Sequence, residues 1–257
     1  MSLLFAAGAL YAGVKVPVVK NVHISSEKLI REYTVVVLSD LHIHRVISPQ
    51  KIERIVSLAN AQNPDVVLLA GDIIDDDVRR VSKITALLKG LKASKGIYFV
   101  TGNHEFYAGY DETVRELANL GFMFLENDGA AVGKDLYLAG VPDTFAGAAY
   151  GKTPDLNRAF AKAGKGAYRL LVSHSPSDFA GRDFDLEVSG HTHGGQIFPF
   201  HVFAKLHNKY LSGLYPMPGG AEIYVSNGAG QWGPQMRFLA PSEITVLRLT
   251  PENRRNK

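Results

Sequence analysis

The chain is predicted to be an α/β protein in which two mixed β-sheets pack face to face with helices on their outer surfaces. Three observations predict it. Continuous apolar runs of strand length recur at 34–39 (TVVVLS), 66–70 (VVLLA) and 97–101 (IYFVT). Helical apolar spacing fills the intervals between them, and the second half of the chain is richer in strand than the first. Strands without polar alternation imply a largely parallel sheet covered on both faces, with ligands beyond the carboxyl ends of its strands.

Taken in order, the β-branched run 34–39 forms the first predicted strand. Ser48-Pro49 then supplies an N-cap and a first-turn proline for a helix whose apolar stripe is Ile52, Ile55, Val56 and Ala59. Asn63-Pro64 stops that helix before the strand 66–70. Val81, Ile84, Leu87, Leu88 and Leu91 mark a second amphipathic helix, and the strand 97–101 completes a βαβαβ unit. Beyond residue 103 the spacing predicts helices over 111–120 and 154–163. Strands are predicted over 122–126, 136–141, 168–173, 187–189, 222–226 and 243–249, which would complete a second sheet.

At 257 residues and 46% hydrophobic content the chain can bury a large core. One domain over 31–250 is expected, because no Pro/Gly/Ser-rich linker, repeat or low-complexity tract divides it. Residues 1–30 read as an N-terminal segment and 251–257 as a basic tail. The formal net charge of +3, from 28 basic and 25 acidic residues, gives no case for nucleic acid as a primary partner. Cysteine is absent, which excludes disulfides, thiolate nucleophiles and cysteine-based zinc sites, and leaves the compartment open.

Residues 3–14 (LLFAAGALYAGV) are apolar but fall short of the about 20 residues that span a bilayer. The favoured reading is the remnant of a membrane anchor, with a short interfacial anchor or an element packed on the domain as alternatives. The expected location is accordingly at a membrane, side unspecified, with a soluble catalytic domain; a cytoplasmic location is the alternative.

Seven residues with metal-ligating side chains stand in five clusters, each just after an apolar run: Asp40 and His42, Asp72, Asn103, His174, and His191 with His193. Five strand ends would bring them to one rim, the arrangement of a two-metal site. Two divalent ions repel, so a carboxylate must lie between them, and Asp72 is the natural bridge. Such a pair binds a phosphoryl oxygen and makes water a nucleophile near neutral pH. Mixed His, Asp and Asn donors suit Mn, Fe, Zn or Co better than Mg or Ca. A single buried Asp or His is usually a cap or a satisfied core group, but that explanation must be repeated for each of the seven. Gly71, Gly102 and Gly190 beside them fit close backbone approach.

The blocks Ser39-Asp40-Leu41-His42, Gly71-Asp72-Ile73-Ile74-Asp75, Gly102-Asn103-His104-Glu105, Ser173-His174 and Gly190-His191-Thr192-His193 resemble, in order, the five motifs of the calcineurin-like metallophosphoesterases. The resemblance covers roughly residues 34–249. It implies a four-layer αββα sandwich, with Asp40, His42, Asp72 and His193 on one metal and Asp72, Asn103, His174 and His191 on the other. It also implies that His104 binds phosphate and protonates the leaving oxygen, with Asp75 holding its imidazole and neither touching metal.

Two features refine the expectation. Members that act as protein Ser/Thr phosphatases carry Arg-Gly directly after the GDxxD block, where this chain has Asp76-Asp77. That departure favours small phosphomonoesters, phosphodiesters or lipid-linked esters as substrate. The GHTHGGQ form at 190–196 and the loop 228–234 (GAGQWGP) are similar to a bacterial subgroup of membrane-linked or exported phosphoesterases. Some relatives in that wider group cleave a UDP-linked diacylglucosamine. Residues 190–220 contain no Asp or Glu but include Phe198, Phe200, Phe203, Tyr210 and Tyr215 with Lys205 and Lys209, a composition that suits a headgroup boundary. For any one of these aromatics, burial in the core is the simpler expectation.

Trp232 and Gln231 are expected in one wall of the pocket, and Glu105 either braces its loop through backbone N–H groups or faces solvent. Asp76 and Asp77 read as a turn and a helix N-terminus. His23, His44, His201 and His207 read as surface or packing residues. Dinucleotide and P-loop glycine motifs are absent. The expected activity is hydrolysis of a phosphomono- or diester by metal-activated hydroxide. A soluble phosphodiesterase for cyclic nucleotides or small diesters, and a non-catalytic scaffold of the same fold, are the alternatives.

Overall fold

The computed structural model describes residues 2–144, 147–177, 179 and 183–252. Helix α1 (Ser2–Val14) precedes strands β1 (Val18–Ser26) and β2 (Tyr33–Leu38), then α2 (Pro49–Asn60), β3 (Val66–Ala70), α3 (Val78–Thr85) and β4 (Ile97–Val100). Helices α4 (Asn103–Ala108) and α5 (Tyr110–Asn119) lead to β5 (Met123–Phe124), β6 (Asp128–Val132) and β7 (Leu136–Gly140). The chain continues through α6 (Leu156–Ala159), β8 (Tyr168–Val172), β9 (Leu186–Ser189), α7 (Phe200–His207), β10 (Gly213–Pro216), β11 (Glu222–Val225) and β12 (Glu243–Pro251).

Two six-stranded sheets result, in the orders β1-β12-β2-β3-β4-β5 and β10-β11-β9-β8-β7-β6. In the first, only the β12–β2 pair is antiparallel. In the second, β10–β11 and β6–β7 are antiparallel around a parallel centre. Both sheets are therefore mixed, as expected.

The period-two alternation of a strand decides which face each apolar residue covers. Val35 and Val37 of β2 with Leu68 of β3 point between the sheets onto Leu138, Leu170 and Val188. Val36, Leu38, Val67 and Leu69 point outward and bury Ile52, Ile55 and Ala59 of α2, Val81 of α3 and Leu117 of α5. The outer face of the second sheet, through Tyr137, Leu171 and Ile223, is covered by Ala159, Phe160, Tyr210 and Met217. Three apolar layers thus hold the parallel strand ends of both sheets toward a common rim.

Some elements differ from the sequence reading. The helix expected over 154–163 is only the four-residue α6, capped by Asp155 through the N–H of Arg158. Its apolar stripe ends at Phe160, and the following Ala-Lys-Ala-Gly-Lys-Gly segment, which packs only Ala163 on the core, carries two glycines that do not favour a helix. Strand β1 carries Lys20, Asn21, His23 and two serines, which hid it. It runs parallel to β12 in register from Val18↔Glu243 to Ser26↔Pro251, so residues assigned to the N-terminal segment form a sheet edge. Residues 253–257 of the basic tail lie outside the described residues. Among the described residues, no helix is long and apolar enough to cross a membrane.

Candidate metal centre

Each predicted ligand lies just beyond a strand. Asp40 and His42 follow β2, Asp72 follows β3, Asn103 opens α4 after β4, His174 follows β8, and His191 and His193 follow β9. Six of the seven are buried and His191 is half-buried. Five of them, Asp40, His42, Asp72, His191 and His193, adopt left-handed backbone conformations with φ between 46° and 67°. Such a conformation costs a non-glycine residue roughly 1 kcal/mol or more, so the surrounding loops must impose it. Asp40 N donates to Gly71 O at 3.0 Å, His42 N to Asp72 O at 3.0 Å and Gly230 N to Asp40 O at 2.9 Å, which tie three loops together beneath the site.

The side chains gather into two adjoining groups that could each hold a cation, Asp40–His42–His193 and Asp72–His174–His191. In the first, His42 Nε2 lies 3.0 Å from His193 Nε2, and His193 Nε2 lies 3.4 Å from Asp40 Oδ1. In the second, His174 Nε2 lies 3.1 Å from Asp72 Oδ2, and His191 Nδ1 lies 3.0 Å from Asn103 Oδ1. His42 Nε2 is 3.8 Å from the same Asp72 oxygen, so that carboxylate stands between the groups. A third group joins His42, Asp75 and His104.

The donor set fits divalent metal. His174 Nδ1 donates to Ala70 O at 2.8 Å, which leaves the Nε2 lone pair of a neutral ring facing a carboxylate oxygen. His174 Nε2 makes no hydrogen bond, although it is fully buried. Two buried acceptors pointed at each other require either a proton or a cation between them. Burial favours the neutral ring of His174, yet the Asp72 charge outweighs it and raises its pKa well above the ordinary value. Burial also opposes charge on Asp72, but His174, His42 and His104 hold its pKa far below the carboxylate range. Burial and the neighbouring imidazoles push His193 well below its ordinary value, the electronic state that nitrogen ligands need.

Asp75 and His104 stand beside these groups. Asp75 Oδ1 accepts a short hydrogen bond from His104 Nδ1, and its Oδ2 lies 3.4 Å from His42 Nδ1. The carboxylate therefore orients the His104 imidazole and lies beside that of His42, whose Nδ1 makes no hydrogen bond. Burial opposes the imidazolium form of His104, but the Asp75 bond and the Asp72 and Asp75 charges prevail and raise its pKa. Its Nε2 is 3.9 Å from Asp72 Oδ2, at the wall of the cavity.

Glu105 resolves in favour of bracing. It is fully buried, and its carboxylate accepts N–H bonds from Ile73 (2.7 Å), Ile74 (3.0 Å), Asp72 (2.9 Å) and Gly102 (2.6 Å). Burial and the Asp72 charge push its pKa up to about 7 against the pull of those donors. Asp77 caps α3 by accepting from Arg79 N, in line with its reading as a helix N-terminus. Arg237 was not anticipated, since it stands alone in the apolar segment MRFLA. Fully buried, it donates to the carbonyls of His193, Asn227, Gly230 and Ala240, and its Nη2 lies 3.2 Å from His193 Nδ1.

The groups open into a cavity of about 780 Å³ whose outer walls are Tyr107, Ile197, Phe200, Ala204, Trp232 and Pro234. Trp232 is placed as expected. Gln231 is not, because its side chain accepts from Lys51 Nζ at 2.5 Å and turns into a smaller neighbouring cleft. Tyr107 has no sequence motif of its own, but it follows His104 by three residues on α4 and meets that ring edge-on at 5.5 Å between centroids. His44 is bonded to His42 O and stays outside the cavity wall, and His23 and His207 are exposed. Tyr210 and Tyr215 pack on the core, whereas Phe198, Phe200 and Phe203 are exposed.

The chain matches the family described as calcineurin-like phosphoesterase over residues 33–195. It is 38% identical over 247 residues to an uncharacterized metallophosphoesterase of Helicobacter pylori strain J99, with 95% of this chain and 66% of that protein aligned. It is 33% identical to a zebrafish (Danio rerio) protein named transmembrane protein with metallophosphoesterase domain, across 97% of this chain and 61% of the relative. The chain thus spans somewhat less than two thirds of the length of these relatives. Among solved structures, a 5'-nucleotidase precursor of Thermus thermophilus superposes with a TM-score of 0.52 at 16% identity, covering 85% of this chain and 54% of that one, a likeness of fold.

Proposed function

The chain belongs to the calcineurin-like phosphoesterase family, and from that premise we propose that it is a metal-dependent phosphoester hydrolase, and which residues perform the reaction and on what. Asp40, His42, Asp72 and His193 would hold one divalent ion, and Asp72, Asn103, His174 and His191 the other. The observation that carries this is the opposition of buried acceptors, with His174 Nε2 aimed at Asp72 Oδ2 across 3.1 Å and no donor between them. When bound, Mn, Fe, Zn or Co ions would neutralise phosphoryl oxygens and lower the pKa of a nucleophilic water.

The chain's own residues supply the rest. His104 holds a proton at Nε2 toward the cavity, because Asp75 engages Nδ1 and favours the charged ring. It would donate that proton to the departing oxygen. Glu105 and Arg237 fix the loops that carry Asp72 and His193, so the groups are held before substrate arrives.

The apolar cavity wall supports an ester with a large apolar substituent, and a lipid-linked ester presented at a membrane is the favoured class. The resemblance read from the GHTHGGQ segment at 190–196 and the name of the zebrafish relative support the same reading. The exposed rings of Tyr107 and Trp232 would equally stack a nucleobase, which keeps a soluble phosphodiesterase as the second reading. A panel of para-nitrophenyl mono- and diesters with added Mn or Zn tests the hydrolase reading and separates mono- from diesterase activity. His104→Ala should lower turnover by about 100-fold or more while metal content is retained, and Asp72→Asn should lower both. Equal turnover of wild type and His104→Ala would refute the acid role.

A further inference from the structure

We infer that α1, the strap 232–239 and α7 together form a face that docks on an anionic lipid bilayer and sets the mouth of the cavity against it. This deepens the membrane reading above and rests on it for its physiological meaning. Eighteen large hydrophobic side chains are exposed among the described residues, and ten belong to these three elements and the residues joining them. They are Leu10, Tyr11 and Val14 of α1, Trp232 and Leu239 of the strap, and Phe198, Phe200, Val202, Phe203 and Leu206 in and before α7. Leu206 is 77% exposed, Leu239 75% and Phe203 60%. Scattered exposed apolar residues are ordinary, but a concentration on neighbouring elements marks an interaction surface.

The three elements are stitched to one another. Arg237 N donates to Ala9 O of α1 at 2.9 Å. Trp232 exchanges two hydrogen bonds with the Gln196 side chain, at 2.7 and 3.0 Å, and Phe198 N donates to Phe238 O at 3.2 Å. Helix α7 buries none of its residues. Phe200 and Ala204, one turn apart, line the cavity, while Val202, Phe203 and Leu206 are not in its wall.

Charge selects the partner. Residues 6–26, 188–221 and 223–242 contain no Asp or Glu, so none of the three elements carries a carboxylate. Lys15 and Lys205 are exposed on or beside them, and among the described residues Lys205 has no ion-pair partner. Tyr11 and Trp232 are amphipathic rings of the kind that settle at the headgroup boundary. A protein partner would ordinarily be met by mixed charge at the rim, whereas a cationic, aromatic and carboxylate-free face is complementary to anionic headgroups. Phe200 and Trp232 belong both to this face and to the cavity wall. A docked molecule would therefore let a lipid ester reach the metal groups with its apolar part still in the bilayer.

The test is co-sedimentation of the chain with vesicles of phosphatidylcholine alone or containing phosphatidylglycerol, at low and high salt. Phe203→Asp with Leu206→Asp, and separately Lys205→Glu, probe the face without touching the cavity wall. The wild type should sediment with anionic vesicles at low salt. The double variant should lose on the order of 100-fold in partitioning, about tenfold per side chain, with hydrolysis of a soluble para-nitrophenyl ester unchanged. Lys205→Glu should lose roughly fivefold or more, and only at low salt. A wild type that stays in the supernatant with both vesicle types, or a double variant that binds like wild type, overturns the inference. So does a dimer that the double variant abolishes without any vesicle binding, which would assign the face to a second copy. Vesicle binding by a chain that hydrolyses no ester would uphold the docking face and sink the hydrolase assignment instead.

Discussion

Gly102→Ala is a small substitution with a large expected consequence. Gly102 N-caps α4 at φ −98° and ψ −171°, an extended conformation open to any residue, so alanine meets no backbone strain there. Its Cβ, however, would lie 2.6 Å from Asp72 N and 2.7 Å from His174 Cδ2, with Asp72 Oδ1 nearer still. Carbon contacts settle near 3.5 Å, so both groups must retreat by about 0.8 Å. Overpacking of this kind costs about 1–3 kcal/mol, which in a chain of this length lowers Tm by roughly 2–10 °C. The displaced groups are proposed ligands, so manganese affinity should fall by about 10–100-fold. Turnover at saturating manganese should fall by about 100-fold. Calorimetric titration with Mn, thermal unfolding and ester hydrolysis measure the three effects. Gly164→Ala is the control, since nothing lies within 4 Å of its Cβ. Manganese affinity and turnover of Gly102→Ala equal to wild type would refute the proposed packing of ligands around this glycine.

Three further outcomes are expected. Burial, with the nearby Arg237 charge, lowers the Lys51 pKa to about 8 from 10.5. Between these values the unfolded chain binds more protons, so stability should rise with pH by up to about 3 kcal/mol. Urea unfolding at pH 7.5 and 9.5 should show this rise flattened in Lys51→Met, and parallel curves would contradict it. Arg237→Met removes the donors to buried carbonyls of Asn227, Gly230 and Ala240 and should cost at least about 3 kcal/mol. An unchanged Tm would contradict that role. Leu68→Ala, between the sheets, should cost about 2–5 kcal/mol in urea unfolding without changing metal stoichiometry of the folded protein; a loss below 1 kcal/mol would argue against a tightly packed intersheet layer.

The first half of the fold was legible because its strands are unbroken apolar runs and its helices carry clear stripes, as in Ile52, Ile55, Val56 and Ala59 of α2. The same uniformity hid which face of each strand points inward. The run TVVVLS gives no alternation, and only the structure separates Val35 and Val37 from Val36 and Leu38. Strand β1 escaped because an edge strand with one face in solvent holds polar residues on that face. Helix α7 escaped for another reason: FHVFAKLH buries no side chain, so no core-facing stripe marks it. At the site, each potential ligand type at a strand end could be read from sequence, and the structure gathers the seven side chains proposed as ligands near one rim. The supporting residues could not be read so easily. Arg237 acts through backbone carbonyls of the loop after β9 and of its own β11–β12 connection, contacts that only the folded chain creates. Glu105 was visible within its motif, but its choice between solvent and backbone depended on the approach of the Asp72 loop.

Anomalous diffraction at the manganese edge, from crystals of this chain grown with excess manganese, tests the proposed site most directly. The expected result is two peaks about 3.5–4 Å apart flanking the Asp72 carboxylate, one beside His42 and His193 and the other beside His174 and His191. A folded, ester-hydrolysing chain with no peak at that rim, or with those imidazoles bonded only to protein, would contradict it.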